Sequence, residues 1–109
     1  MLNERRTQTR HRVNVPLEID GGARIGLSLD ASSEGMLFNT RSHFSPGEEL
    51  TVTLRLPGEA RAETRARVVR VTHVDKLSTL PWRYLTAVRF EGPVVELDMH
   101  LRSLLLPPG

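Results

Sequence analysis

The chain has 109 residues, of which 39% are hydrophobic and 26% charged, with a formal net charge of +2. This length supports one domain with a single core, and the absence of cysteine excludes disulfides and thiolate metal sites. The longest leucine run, Leu104 to Leu106, is far too short to cross a membrane, and no apolar segment follows Arg5 and Arg6 as in a secretory signal. We therefore expect a cytoplasmic protein without membrane insertion.

The positive charge is concentrated at the N-terminus. Residues 1–12 carry four arginines against Glu4, a local charge of +3, which leaves −1 for residues 13–109. A protein that binds duplex nucleic acid usually spreads its cations over a surface that spans several phosphates. Aromatic residues, which stack single-stranded bases, make up only 5% of the chain. We therefore expect no DNA or RNA partner.

The first half of the chain predicts three strands. Residues 13–19 and 23–29 alternate between apolar and polar side chains, and Asp20-Gly21-Gly22 between them suits a tight turn, so these segments predict a hairpin. A loop is predicted from Asp30 to Gly35. It is followed by a short strand at residues 36–38 that ends near the Ser45-Pro46-Gly47 turn.

The second half predicts three more strands and a helix. Residues 50–56 alternate up to the Pro57-Gly58 turn, and a long strand follows over residues 60–74. Its alternation changes phase at Val68-Val69, which predicts a β-bulge. The last strand covers residues 84–90. Pro93 then suits a first helical position, and apolar residues recur at helical spacing from Val94 to Leu105.

Six short strands followed by one helix predict an all-β fold, a six-stranded antiparallel β barrel with one C-terminal α-helix. Residues 1–12 have few apolar anchors, and we expect them to form a flexible tail that carries the arginine motif. Residues 13–109 are expected to form the barrel domain with its helix.

Two short motifs carry the candidate chemistry: Arg6-x-x-x-Arg10, and Asp30-x-Ser32-x-x-Gly35 about twenty residues later. An arginine guanidinium is planar and always charged, so it can stack on a purine and donate two parallel hydrogen bonds to guanine or phosphate. Asp30 can accept from a guanine edge, Ser32 offers a hydroxyl, and Gly35 permits close backbone approach or a positive φ. Alone, each motif is more typical of a solvated tail or of a turn between strands.

The two motifs in this order, separated by a predicted hairpin, resemble the signature of the PilZ domain family. The resemblance covers essentially the whole chain and implies a β barrel that binds the bacterial second messenger cyclic di-GMP and needs no other cofactor. It implies that Arg6 and Arg10 hold phosphate and guanine, and that Asp30, Ser32 and Gly35 hold the guanine edge.

The resemblance also implies roles for two further arginines. Arg5, next to the first motif arginine, matches family members that take up an intercalated ligand dimer. Arg70 occupies a strand position that borders the ligand in relatives. The sequence departs from many relatives at Ala87, where they have glycine, and at Thr9, where they have proline.

We expect a ligand-gated adaptor without catalytic activity that signals to an unidentified downstream protein. The four histidines show no spacing typical of a catalytic triad or a metal site. A module that docks on proteins without binding nucleotide is the main alternative, but it leaves the intact motif residues unexplained. A nucleic-acid-binding barrel is less consistent with the charge distribution.

Overall fold

The computed structural model describes residues 10–74 and 81–104, which form seven β-strands and one α-helix. The strands are β1 (His11–Arg12), β2 (Pro16–Ile19), β3 (Arg24–Ser32), β4 (Gly35–Thr40), β5 (Glu49–Leu56), β6 (Ala60–His73) and β7 (Tyr84–Phe90), and helix α1 covers Val95–Ser103. Strands β2 to β7 pair antiparallel in the order β3-β2-β5-β6-β7-β4, and β4 pairs with β3 to close the barrel. The predicted six-stranded barrel with a C-terminal helix is therefore confirmed, with β1 as one extra strand beside β3.

The predicted first hairpin is present. Asp20, Gly21 and Gly22 all have positive φ, between 53° and 97°, and connect β2 to β3. The Asp20 carboxylate also accepts a hydrogen bond from the backbone N–H of Thr51 at 3.0 Å, which ties the turn to β5. Two glycines in a row remove the steric cost of this left-handed backbone.

The predicted loop from Asp30 to Gly35 is wrong. Strand β3 continues through Ser32, β4 begins at Gly35, and only two residues, Ser33 and Glu34, turn between them. The in-and-out alternation of burial along β3 is interrupted at Leu29, where the register between β3 and β4 shifts, whereas the sequence places turn-forming residues such as Asp30 and Ser32 directly after it. This bulge was not predicted, and the motif lies on a β-hairpin.

The bulge predicted at Val68-Val69 is confirmed. Val68 pairs with Val88 and Arg70 pairs with Ala87, so Val69 is the extra residue of β6. Its side chain points outward and is 55% exposed. A bulge increases local twist, and here it bends the longest strand around the barrel.

Inward-facing side chains of all six barrel strands fill the core, and Val94, which precedes α1, and Leu97 and Leu101 of α1 add to it. The helix begins at Val95, so Pro93 precedes it and does not occupy the predicted first helical position. The backbone N–H of Val94 donates to the carbonyl of Ser33 at 3.3 Å. This bond connects the start of the helix to the turn of the β3–β4 hairpin.

The predicted flexible tail ended at residue 12. Residues 1–9 lie outside the described residues, whereas His11 and Arg12 form β1 against Ala31 and Asp30. Within the described ranges, α1 is far too short to pass through a lipid bilayer, and no other helix is a candidate.

Candidate functional site

The structure brings one residue of each motif together. The Arg10 guanidinium donates from Nε at 3.0 Å and from Nη2 at 2.6 Å to the same carboxylate oxygen, Oδ1, of Asp30. The side chains are 40% and 28% exposed, so water still reaches the pair. Because twenty residues separate them, this contact results from the pairing of β1 with β3.

Arg12 belongs to the same neighbourhood, although sequence analysis did not include it among the site residues. It is the register partner of Asp30 between β1 and β3, and directly opposed residues of an antiparallel pair project to the same face. The sequence signal for Arg12 was its spacing of two residues from Arg10. In a strand, residues at this spacing lie on the same face, but in a flexible tail the spacing has no such meaning. Treating residues 1–12 as a tail concealed it.

Ser32 and Gly35 have a different environment from Asp30. Ser32 is only 2% exposed, and its hydroxyl accepts a hydrogen bond from the backbone N–H of Glu34 at 3.2 Å. Gly35 is buried, and a Cβ added there would lie 2.6 Å from the carbonyl oxygen of Val88. The glycine is therefore required for the close approach of β4 to β7, and it does not adopt a positive φ.

The predicted residue Arg70 lies on the same outward surface as Asp30. Register partners run across four strands from Asp30 to Leu37, Ala87 and Arg70. Three strand spacings separate the ends of this row, or about 15 Å. The half-buried Leu37 and Ala87 supply apolar surface between the two charged residues. We call the outward side of β3, β4, β7 and β6 the motif face.

Two predicted site residues, Arg5 and Arg6, lie outside the described residues. Tyr84, an aromatic residue of the kind that can stack on a base, lies at the opposite end of β4 and β7 from the motif, where it pairs with Thr40. Its ring contacts His43 edge to face, with centroids 5.0 Å apart, and His73 at 5.1 Å. Tyr84 therefore does not line the motif face.

The geometry of the motif face suits a ligand with both anionic and hydrogen-bond-donor groups. Arg12 and Arg70 are exposed and have no carboxylate partner within residues 10–74 and 81–104. Asp30 is the acceptor between them, and apolar side chains supply a surface for a flat base. Exposed ion pairs contribute only about 0.2 to 1 kcal/mol, so exchanging the Arg10–Asp30 contact for a ligand costs little.

Comparisons with known proteins agree with the fold of this chain. The family model described as PilZ domain matches residues 3–106. The solved structure of the Bacillus subtilis inhibitor of motility MotI/DgrA has a TM-score of 0.74 and 22% identity over 94% of this chain and 52% of that one, so the chain spans about half its length. The solved structure of the PilZ domain of YcgR from Escherichia coli with c-di-GMP has a TM-score of 0.67 and 11% identity. The match covers 94% of this chain and 89% of that one. No curated protein sequence matches the chain.

Proposed function

Because the chain belongs to the PilZ domain family, we propose that it is a cyclic di-GMP receptor that changes conformation on binding and signals to a partner protein. The observation that carries the proposal is the contact between Arg10 and Asp30, which unites the two motifs on one face of the barrel. Cyclic di-GMP carries two phosphates and two guanines. It therefore needs both the cations and the acceptor that this face offers.

In the proposed complex, Asp30 accepts hydrogen bonds from the N1–H and amino group of one guanine. Arg10 then leaves the carboxylate and donates to a phosphate, or stacks on the base, as its planar guanidinium allows. The carboxylate exchanges the guanidinium for the neutral donors of the guanine edge, and the arginine exchanges the carboxylate for a phosphate or for the face of the base. This exchange explains how the residues can be paired in the free protein and still serve the ligand.

We propose that the predicted residues Arg5 and Arg6 add cations from the segment before β1. Arg10 and strand β1, which follow those residues in the chain, lie beside Asp30. A dianionic ligand reduces repulsion among the arginines and lets the segment close over the barrel, which is the proposed conformational change. Arg5 is assigned to a second, intercalated ligand molecule, and Arg70 to the far border of the site.

The proposed output is a binding surface for a downstream protein, with no chemical step. The turn residues Ser33 and Glu34 accept backbone hydrogen bonds from Val94 and Phe90, at 3.3 and 2.8 Å. A ligand that moves this turn therefore acts directly on the start of α1. The partner itself is unidentified, and the proposed location is the cytoplasm.

Calorimetric titration of cyclic di-GMP into the purified protein tests the proposal, with GTP as the ligand control. Saturable heat that disappears in the Arg6→Ala/Arg10→Ala variant is the expected result, and a ratio near two ligands per chain supports the role given to Arg5. Limited proteolysis should then show slower cleavage before residue 10 when ligand is present. No heat at two temperatures and no shift in melting temperature would favour the docking module that binds no nucleotide.

A further inference from the structure

A second row of register partners crosses the motif face two residues closer to the turn of the β3–β4 hairpin. It runs from Ser32 to Gly35, Arg89, Arg67 and Glu49. Gly35 contributes no side chain to this row, and its backbone packs against that of β7. Arg89 is therefore the first side chain beyond Ser32 that reaches outward on this side of the motif.

The arginines in this row differ in their partners. Arg67 donates to Glu49 at 2.7 Å, and Arg65 donates to the other oxygen of the same carboxylate at 2.8 Å. Arg89 is exposed, and no carboxylate in the described ranges pairs with it. The charge of Arg89 thus remains available to an external anion, whereas Arg65 and Arg67 share the single negative charge of Glu49.

Arg89 also lines a cleft on this face. The cleft has a volume of about 460 Å³, with Val69, Phe90 and Glu91 among its other lining residues. Small-molecule sites have volumes of roughly 300 to 1,000 Å³. Arg89 lies two strands across and two residues along from Asp30, which places their Cα atoms about 12 Å apart. A ligand held at Asp30 can therefore extend into the cleft.

We propose that Arg89 is a further ligand-binding residue that holds a phosphate of the nucleotide whose guanine contacts Asp30. This inference rests on the proposed function and adds to it a contact from β7, outside both motifs. A guanidinium donates two parallel hydrogen bonds to phosphate oxygens, and such charge-assisted bonds are roughly twice as strong as neutral ones. The contact extends the site from the hairpin across β4 to the cleft.

The test is calorimetric titration of cyclic di-GMP into the full chain and its Arg89→Gln variant, with Arg61→Gln as the matched control. Arg61 is exposed, like Arg89, and its substitution by glutamine removes the same charge. It lies on β6 opposite Arg55, at the end of that strand far from Arg89. We expect Arg89→Gln to weaken affinity about tenfold and Arg61→Gln less than twofold. Because salt screens a phosphate contact, the Arg89→Gln defect should shrink between 50 and 500 mM salt. Melting temperatures equal to that of the wild-type protein would show that both variants fold.

Three outcomes distinguish the inference from its premise. Selective, salt-sensitive weakening in Arg89→Gln supports it. Wild-type binding with equal affinities for Arg89→Gln and Arg61→Gln would overturn the assignment of Arg89 and leave the proposed receptor function standing. A wild-type protein that gives no saturable heat would overturn both.

Discussion

The two ends of the Asp30-x-Ser32-x-x-Gly35 motif lie in different physical environments. Asp30 is partly exposed on the motif face and holds Arg10. Ser32 and Gly35 are buried, the first in a hydrogen bond across the turn and the second against the backbone of β7. One motif therefore combines a residue placed to meet a ligand with residues that build the hairpin presenting it.

This difference predicts that substitutions at the two ends of the motif affect different properties, ligand affinity at one end and the free energy of unfolding at the other. Substitutions at the exposed end should reduce ligand affinity and leave the fold intact, because an exposed ion pair contributes little to folding. Substitutions at the buried end should destabilise the protein first. The following predictions test that division.

The largest expected effect is on affinity, in the Arg6→Ala/Arg10→Ala variant. It removes two cations that can each make bidentate bonds to phosphate or guanine. Hydrogen bonds to charged groups contribute about 1.5 to 3 kcal/mol each, so two lost contacts weaken binding by roughly 100-fold or more. Calorimetry measures the affinity, and thermal unfolding should show a melting temperature within about 5 °C of wild type, because an exposed ion pair contributes at most about 1 kcal/mol.

Asp30→Ala should weaken cyclic di-GMP binding by roughly tenfold or more, through loss of the guanine acceptor. Glu63→Ala is the matched control, since Glu63 is exposed on β6 opposite Thr53. Asp20 is a poorer control because its carboxylate holds the backbone of Thr51. Equal affinities for the two variants would mean that the site senses only overall charge.

Gly35→Ala should act on stability. A Cβ at 2.6 Å from the Val88 carbonyl oxygen forces β4 and β7 apart, and overpacking of this kind costs about 1 to 3 kcal/mol. For a domain of this size, each kcal/mol lowers the melting temperature by roughly 4 to 8 °C. An unchanged melting temperature with lost binding would show instead that Gly35 serves the ligand directly.

Ser32→Ala should give the smallest effect of the series. It removes the hydroxyl that accepts from Glu34 N–H, a bond with a net contribution of about 1 kcal/mol. We expect a modest fall in melting temperature and a loss of affinity smaller than that of Asp30→Ala. A larger affinity loss than Asp30→Ala, at wild-type stability, would contradict the structural role given to this hydroxyl.

The sequence predicted the barrel because alternating strands such as residues 50–56 leave a clear period of two. The bulge at Val69 was visible as a phase change in β6. The bulge at Leu29 was not, because the apolar residues Leu27, Leu29 and Ala31 keep an unbroken period of two in the sequence, and the polar residues after Leu29 concealed the extension of β3 to Ser32. The contact of Arg10 with Asp30 and the location of Arg89 depend on strand register between distant segments. No local pattern encodes that register.

An NMR titration of isotope-labelled protein with cyclic di-GMP, following each backbone amide, would locate the bound ligand on the barrel. We expect saturable shifts concentrated on the motif face, at residues 10–12, 30–35 and 87–89, with little change in β2 and in residues 52–56 of β5. Saturable shifts confined to β2 and β5, or no shifts at saturating ligand, would contradict this expectation.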